Sequence, residues 1–334
     1  MAIYSYDLQG KKDSFADWIS NISPTDTFIV SYSKKEPTPQ PNYKWQTDAL
    51  FPDVYKLDFI DDILEGSETP SIDKILLKKT VEKQGNTQIF KKTFAISDSA
   101  LATSVHGRAG ELKYQLEKSA KELKNIMEVV FSSKQTRQSA GTPGGTNDTV
   151  PKTDGLFAQI APKNQPNPDL PSTVTPSAVH IESATASKVT WADFVKVTHA
   201  LYNAGSKACV IVTNPANATI ISDLAKEAEG KIKQLQTFDK REPKPQYELP
   251  GGYDEQYSIT DDLGCGWCVC FSRFCPPDLV YLLDPDTITQ RVLREPKATQ
   301  LGKQGSFEIW QLVIEAGLCL SNPYAAGVIE IKQP

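Results

Sequence analysis

Between Gly85 and Lys134 the spacing of apolar positions changes from one period to another. In GNTQIFKKTFAIS, residues 85–97, Phe90, Phe94 and Ile96 fall on alternate positions, which predicts a strand. Beyond it Leu112, Leu116, Ala120, Leu123, Met127 and Val130 recur at steps of three and four, so one apolar stripe runs along a helix spanning residues 109–131. At 1.5 Å per residue that helix is roughly 35 Å long, more than an ordinary soluble helix, and it needs a wide surface to lie on. Glu117 and Lys121 stand four apart in the favourable order, worth about 0.2–0.5 kcal/mol, so the stripe and not the ion pair decides the element. On periodicity alone, a core helix of any α/β protein would look the same.

The same patterning divides the rest of the chain. Residues 1–42 carry Phe15, Trp18, Ile22 and Phe28, large apolar side chains among turn formers (NISPTDT, PTPQP), with too little local structure to bury them. Residues 43–97 read as an extended excursion that leaves through the strand-like YKWQTDAL, passes an acidic, turn-rich stretch and returns along residues 85–97. Residues 98–134 hold the long helix. The segment 135–189 is loaded with Gly, Pro, Ser, Thr and Asn, which disfavours a regular core and predicts either a linker or a surface loop. A second unit, 190–264, opens with Thr190 at a helix N-cap and Phe194, Val195, Thr198, Leu201 and Tyr202 on one face, and Gly205 stops that helix. A buried strand, a turn at Asn214–Pro215 and another helix follow. Residues 265–334 are β-rich, with Pro276 and Pro277 outside any central strand.

Composition and chemistry narrow the function. The 334 residues carry a formal charge of -5, which gives no global attraction to nucleic acid. No basic start followed by an apolar run opens the chain, and no stretch reaches membrane-spanning length, so a protein made and retained in cytoplasm is expected. Cys265 and Cys268 have the two-residue gap of a zinc pair, but Cys270 and Cys275 do not complete a clean second pair. If residues 268–270 form a strand, Cys268 and Cys270 share a face with Val269 opposite, and free buried thiols are expected with no metal, cofactor or required disulfide. Only His106, His180 and His199 are available for proton transfer near neutral pH. None sits in an HExxH, GxSxG or kinase pattern, and the strand–turn–helix around Thr213–Thr219 lacks a phosphate-binding glycine loop.

Four segments, NISPTDT at 21–27, YKWQTDAL at 43–50, GNTQIFKKTFAIS at 85–97 and GRAGELKYQLEKSAKELKNIMEVVF at 107–131, resemble the major head protein family of tailed bacteriophages, in the branch typified by podophages with elongated heads. The resemblance is strong over the first 135 residues and weaker from about 190 onward. It implies an α+β capsid fold: an N-terminal arm (1–42), an extended β-hairpin loop (43–97), a peripheral domain with a spine helix (98–134), an insertion or surface loop (135–189), an axial domain (190–264) and a β-rich return (265–334). The family's polar pattern falls on Asn21, Ser23, Pro24, Thr25, Asp26 and Thr27, on Trp45, Gln46, Thr47 and Asp48, and on Arg108, Glu111, Tyr114, Gln115, Lys118, Lys121, Glu122, Lys124 and Glu128. By that resemblance these residues position arm, loop and helix against neighbouring subunits and catalyse nothing. One departure stands out, since the family often follows the arm motif with Pro-Phe-Leu and this chain has Phe28, Ile29 and Val30.

A structural role therefore leads: many copies, as hexamers and pentamers, form an icosahedral or elongated shell around double-stranded DNA. Candidate subunit contacts are Phe15, Trp18, Ile22, Phe28, Trp45, Phe90, Arg108 and Glu111, and candidate DNA-facing cations are Lys11, Lys12, Arg108, Lys118 and Lys121. The implied partners are a separate scaffolding protein, a portal protein and a cement or decoration protein, with assembly in the bacterial cytoplasm and no membrane. A decoration or tail tube protein is the alternative within the virion, and a cytoplasmic α/β enzyme the alternative outside it.

Overall fold

The described chain opens with α1 (Phe28–Tyr32), β1 (Lys34–Pro37), β2 (Asn42–Thr47), β3 (Val81–Asn86), β4 (Gln88–Ser97), α2 (Asp98–Ala102) and α3 (Glu111–Ser132). It continues with α4 (Leu156–Gln159), β5 (His180–Glu182), α5 (Trp191–Asn203), β6 (Val210–Thr213) and α6 (Ala218–Leu235). The close is all β: β7 (Ser258–Thr260), β8 (Gly266–Phe271), β9 (Leu279–Leu283), β10 (Ile288–Gln304), β11 (Phe307–Leu320) and β12 (Gly327–Glu330). This computed structural model describes residues 27–48, 80–103, 110–139, 149–160, 179–235 and 258–332.

Among these residues the strands form three sheets, ordered β1-β10-β11-β4, β5-β12-β9-β6-β8-β7 and β2-β3. The helix predicted over 109–131 is α3, and its stripe lies on the first sheet. Leu123, Met127 and Phe131 are buried there, Leu116, Ala120 and Val130 half-buried, and the ring of Phe131 meets Phe90 of β4 edge-on at 6.0 Å. The stripe thus deepens toward the C-terminal end of the helix. There Ser132 Oγ donates to Phe274 O at 2.9 Å, and Tyr281 Oη donates to Ser132 O at 2.8 Å, tying α3 to the six-stranded sheet.

That second sheet is covered on both faces, which explains the unbroken apolar run of β6. Val210 and Val212 join the core shared with α3, whereas Ile211 packs with Phe194, Val197 and Leu201 of α5 and Ile221 and Leu224 of α6. The same alternation puts Cys268 and Cys270 on the α3 side and Val269 on the other, as their spacing predicts. α5 opens with a capping box in which Thr190 Oγ1 accepts from Asp193 N and Asp193 Oδ2 accepts from Thr190 N, satisfying two otherwise orphaned amides. Gly205 ends this stretch at φ +75°, a left-handed conformation that favours glycine.

Two expectations are corrected here. The segment grouped with an arm lacking its own core contributes to the core from residue 28 onward: Phe28, Ile29 and Val30 are buried, and β1 adds in parallel to β10, with Lys34 opposite Thr289. The segment 135–189, read as linker or surface loop, also reaches the interior, since Leu156, Ile160 and Val179 are wholly buried and β5 edges the six-stranded sheet. Its polar residues have a structural use. β4 pairs with β11 only as far as Ala316, and beyond that point side chains replace the missing ladder. Leu318 N donates to Thr153 Oγ1, Leu320 N donates to Gln159 Oε1, and Gln159 Nε2 donates to Leu318 O. A further difference is length, because β10 continues well past the predicted ITQRVL to Gln304, with Pro296 at a register shift.

Candidate intersubunit surface

Nothing among the described residues assembles a catalytic or metal-binding constellation. No group of three or more His, Cys, Asp or Glu among them is placed to hold an ion. His180 is buried beside Phe157 with Nε2 3.5 Å from Glu330, and His199 Nε2 lies 2.8 Å from Asp262 Oδ2. Cys209, Cys270, Cys275 and Cys319 are buried free thiols, and burial pushes Cys209 and Cys270 up to about 12, so they are protonated and poorly nucleophilic at neutral pH. No described helix is long and apolar enough to cross a membrane.

What the fold does build is a set of firmly rooted projections. The β2-β3 ribbon is held at its base by Tyr43, whose ring packs against Gly85 and Gly317; a Cβ at Gly85 would come within 2.6 Å of that ring. Its hydroxyl donates to Leu318 O at 2.6 Å, and burial raises the phenol so that it stays protonated as a donor. Beside it Thr87 Oγ1 donates to Glu315 Oε1 at 3.0 Å, while Glu315 Oε2 accepts from Arg294 Nε at 2.7 Å. Arg137 reaches back to Gln84 O, and Asn86 Nδ2 donates to Gln138 O, so the segment after α3 braces the ribbon from its other side. Lys44 and Glu82 pair across the strands at 2.7 Å, but both are more than half exposed, so the pair adds little to the bracing.

The N-terminal root is held differently. Glu128 of α3 is wholly buried, and its carboxylate oxygens accept from Ile29 N at 2.9 Å and Val30 N at 2.8 Å. From the opposite side Gln290 of β10 donates to Val30 O at 2.8 Å and to Ser33 Oγ. Among the described residues, exposed apolar side chains include Ile126 and Val129 on the outer face of α3, with Lys113, Lys118, Lys121 and Lys124 exposed on the same helix, and Leu301 and Phe307 at the β10-β11 tip around Gly305. Lys303 anchors that tip to Asp98 at 3.0 Å.

The candidate contact residues separate on this frame. Phe28 and Phe90 are taken up by the chain's own core and offer no surface to a neighbour, which corrects their assignment; alternation and size could not show which partner would bury them. Trp45 stands on the ribbon, stacked on Tyr43 at 6.0 Å and half-buried, and Glu111 accepts from Gln115 at the start of α3. Lys118 and Lys121 are exposed on the helix. Phe15, Trp18, Ile22, Lys11, Lys12 and Arg108 lie outside the described residues. The bracing residues Tyr43, Gln290 and Glu315 were not singled out in the sequence. The signal was present for two of them, since a Gln in ITQRV and a Glu in LVIEAG interrupt runs that are otherwise strand-like.

The profile of the SU10 major capsid protein family matches residues 2–333. The chain belongs to that family. It is 38% identical to the major capsid protein of Escherichia phage Phieco32 across 97% of this chain and 95% of the relative. Its fold is similar to that of a chain from the capsid asymmetric unit of Cyanophage A-1(L), with a TM-score of 0.58 at 13% identity over 99% and 98% of the two chains. It is similar also to a chain of the SrpI encapsulin complex from Synechococcus elongatus PCC 7942, with a TM-score of 0.57 at 10% identity over 97% and 93%. A mixed α+β capsid fold that persists at such low identity is specified by element order and packing. As that of a virion major capsid protein, its role is structural and not enzymatic.

Proposed function

We propose that this major capsid protein self-assembles, as hexamers and pentamers, into the icosahedral or elongated head shell that encloses the double-stranded DNA of a tailed bacteriophage, in the branch typified by podophages. The observation that carries this reading is the rooted β2-β3 ribbon: Tyr43, Glu315, Asn86 and Arg137 fix the base of a projection that has little core of its own. Such an element gains stability when it packs on a partner, the situation of a closed symmetric assembly. In this reading α3 is the spine helix of a peripheral domain, and the six-stranded sheet with α5 and α6 is the axial domain. Assembly takes place in the bacterial cytoplasm with a separate scaffolding protein, a portal protein and a cement or decoration protein. Cryo-microscopy of the recombinant chain, expressed alone and with a scaffolding protein, is expected to show closed shells. Rings or tubes alone would instead favour a decoration or tail tube role.

Contact with packaged DNA falls to Lys118 and Lys121 on α3, together with Lys11, Lys12 and Arg108. Contact made through charge alone is blind to base sequence and weakens with salt. Converting Lys118 and Lys121 to Gln is expected to lower the slope of log affinity against log salt by roughly two, since each phosphate that a lysine neutralises adds about 0.9 to it. DNA retention by intact shells across a salt series measures this. An unchanged slope would assign the two lysines to solvent or to pairing between subunits.

A further inference from the structure

The contact between Glu128 and α1 has a composition unlike the other anchors in the fold. Its carboxyl is wholly buried, and the groups facing it are the backbone amides of Phe28, Ile29 and Val30. Among the described residues no cation influences it. On α1 Tyr32 is the titratable side chain, and the thiol of Cys275 lies beside the carboxyl from the loop between β8 and β9, itself raised by burial. β10 contributes the neutral Gln290, and one turn back on α3 Lys124 is exposed. The neighbouring Lys92 of β4 is engaged at 2.8 Å with Glu122. Among the described residues, a carboxyl without a countercharge thus holds the first turn of a five-residue helix that opens the described chain.

We propose that this contact is a proton-operated latch on the root of the N-terminal segment: α1 stays seated while the Glu128 carboxyl is protonated and loosens when it ionises. A protonated carboxyl still serves both amides, one through its carbonyl oxygen and the other through the remaining lone pairs of its hydroxyl. The ionised group makes stronger hydrogen bonds but must stay buried with no countercharge, and burial is the larger effect. It pushes the carboxyl up to about 7 against the three amides, which lower it. With α1 lifted, water reaches the group and its ordinary carboxylate range returns. The seated state has the higher value, so the extra stability is full below about pH 4.5 and is lost as pH rises through about 7. A local opening that costs less than global unfolding is the kind of event such a difference can drive.

Hydrogen exchange at the amides of residues 28–33 in the full chain, corrected for intrinsic rates, tests this on unassembled protein and so stands apart from the shell-forming reading. Between about pH 5.5 and pH 8.5, opening in the native chain is expected to increase roughly tenfold or more. Glu128→Gln, which keeps one acceptor and cannot ionise, is expected to give a flat profile. Gln290→Ala, which removes the opposite hold on Val30, should raise opening at every pH and leave the pH slope intact. A flat profile in the native chain overturns the proposal, as does a pH slope that survives in Glu128→Gln. If Glu128→Gln does not fold, the native and Gln290→Ala profiles decide alone, and both must rise with pH for the latch to stand.

Discussion

Replacing Phe131 by Ala is expected to lower stability by about 3–5 kcal/mol, a large part of the roughly 5–15 kcal/mol that holds an ordinary domain together. The ring is wholly buried near the C-terminal end of α3, edge-on to Phe90, where the four-stranded and six-stranded sheets share one core. Surrounding strands cannot collapse into the space, because Ser132 and Tyr281 fix the end of the helix by hydrogen bonds to backbone. Leu116→Asp, the substitution that periodicity alone would single out, should cost less, because Leu116 is half-buried and an aspartate there can turn to water. Urea unfolding of the two variants beside the native chain measures the order. A loss below about 1 kcal/mol for Phe131→Ala would mean that α3 is not packed as described.

A chain lacking residues 2–26 is expected to fold and to fail to assemble, whereas one lacking residues 2–33 is expected not to fold. The difference lies in the short stretch that includes α1. Phe28, Ile29 and Val30 bury their side chains in the core, and Glu128 and Gln290 lose their partners when α1 is removed. Burying three such side chains is worth roughly 1.5–3 kcal/mol each, enough together to exceed the margin of a marginal fold. Residues 2–26 carry Phe15, Trp18 and Ile22, the large apolar groups a neighbour would cover. Circular dichroism separates folded from unfolded variants, and negative-stain microscopy separates shells from none. Normal shells from the shorter deletion would remove the N-terminal segment from assembly, and a folded chain from the longer one would show that α1 is dispensable.

Much of this protein could be read along the chain. The long helix, the strand before it, the helix N-cap at Thr190 and the placement of Cys268 and Cys270 opposite Val269 follow from local pattern, because a side chain's face is set by its backbone period. The family was legible too, in the order of ribbon and helix and in the motifs at 21–27, 43–50, 85–97 and 107–131. Burial could not be read in the same way. Phe28 and Phe90 look like exposed anchors in a sequence and are core residues in the fold, because what covers an apolar side chain is a segment distant in the chain: Phe90 meets Phe131, and Ile29 meets Glu128.

The segment 135–189 shows the limit from the other side. Its composition is that of a loop, yet Thr153 and Gln159 supply hydrogen bonds that β11 lacks where β4 ends, and no local pattern can announce a vacancy in a strand more than 150 residues away. Elements and their faces were readable from the residues alone, since both depend on neighbours within a turn or two. Which polar groups are structural emerged from the folded chain. The value of Glu128, Gln290, Tyr43 or Glu315 depends on which backbone amide, carbonyl or side chain is brought beside it and on whether water is kept out.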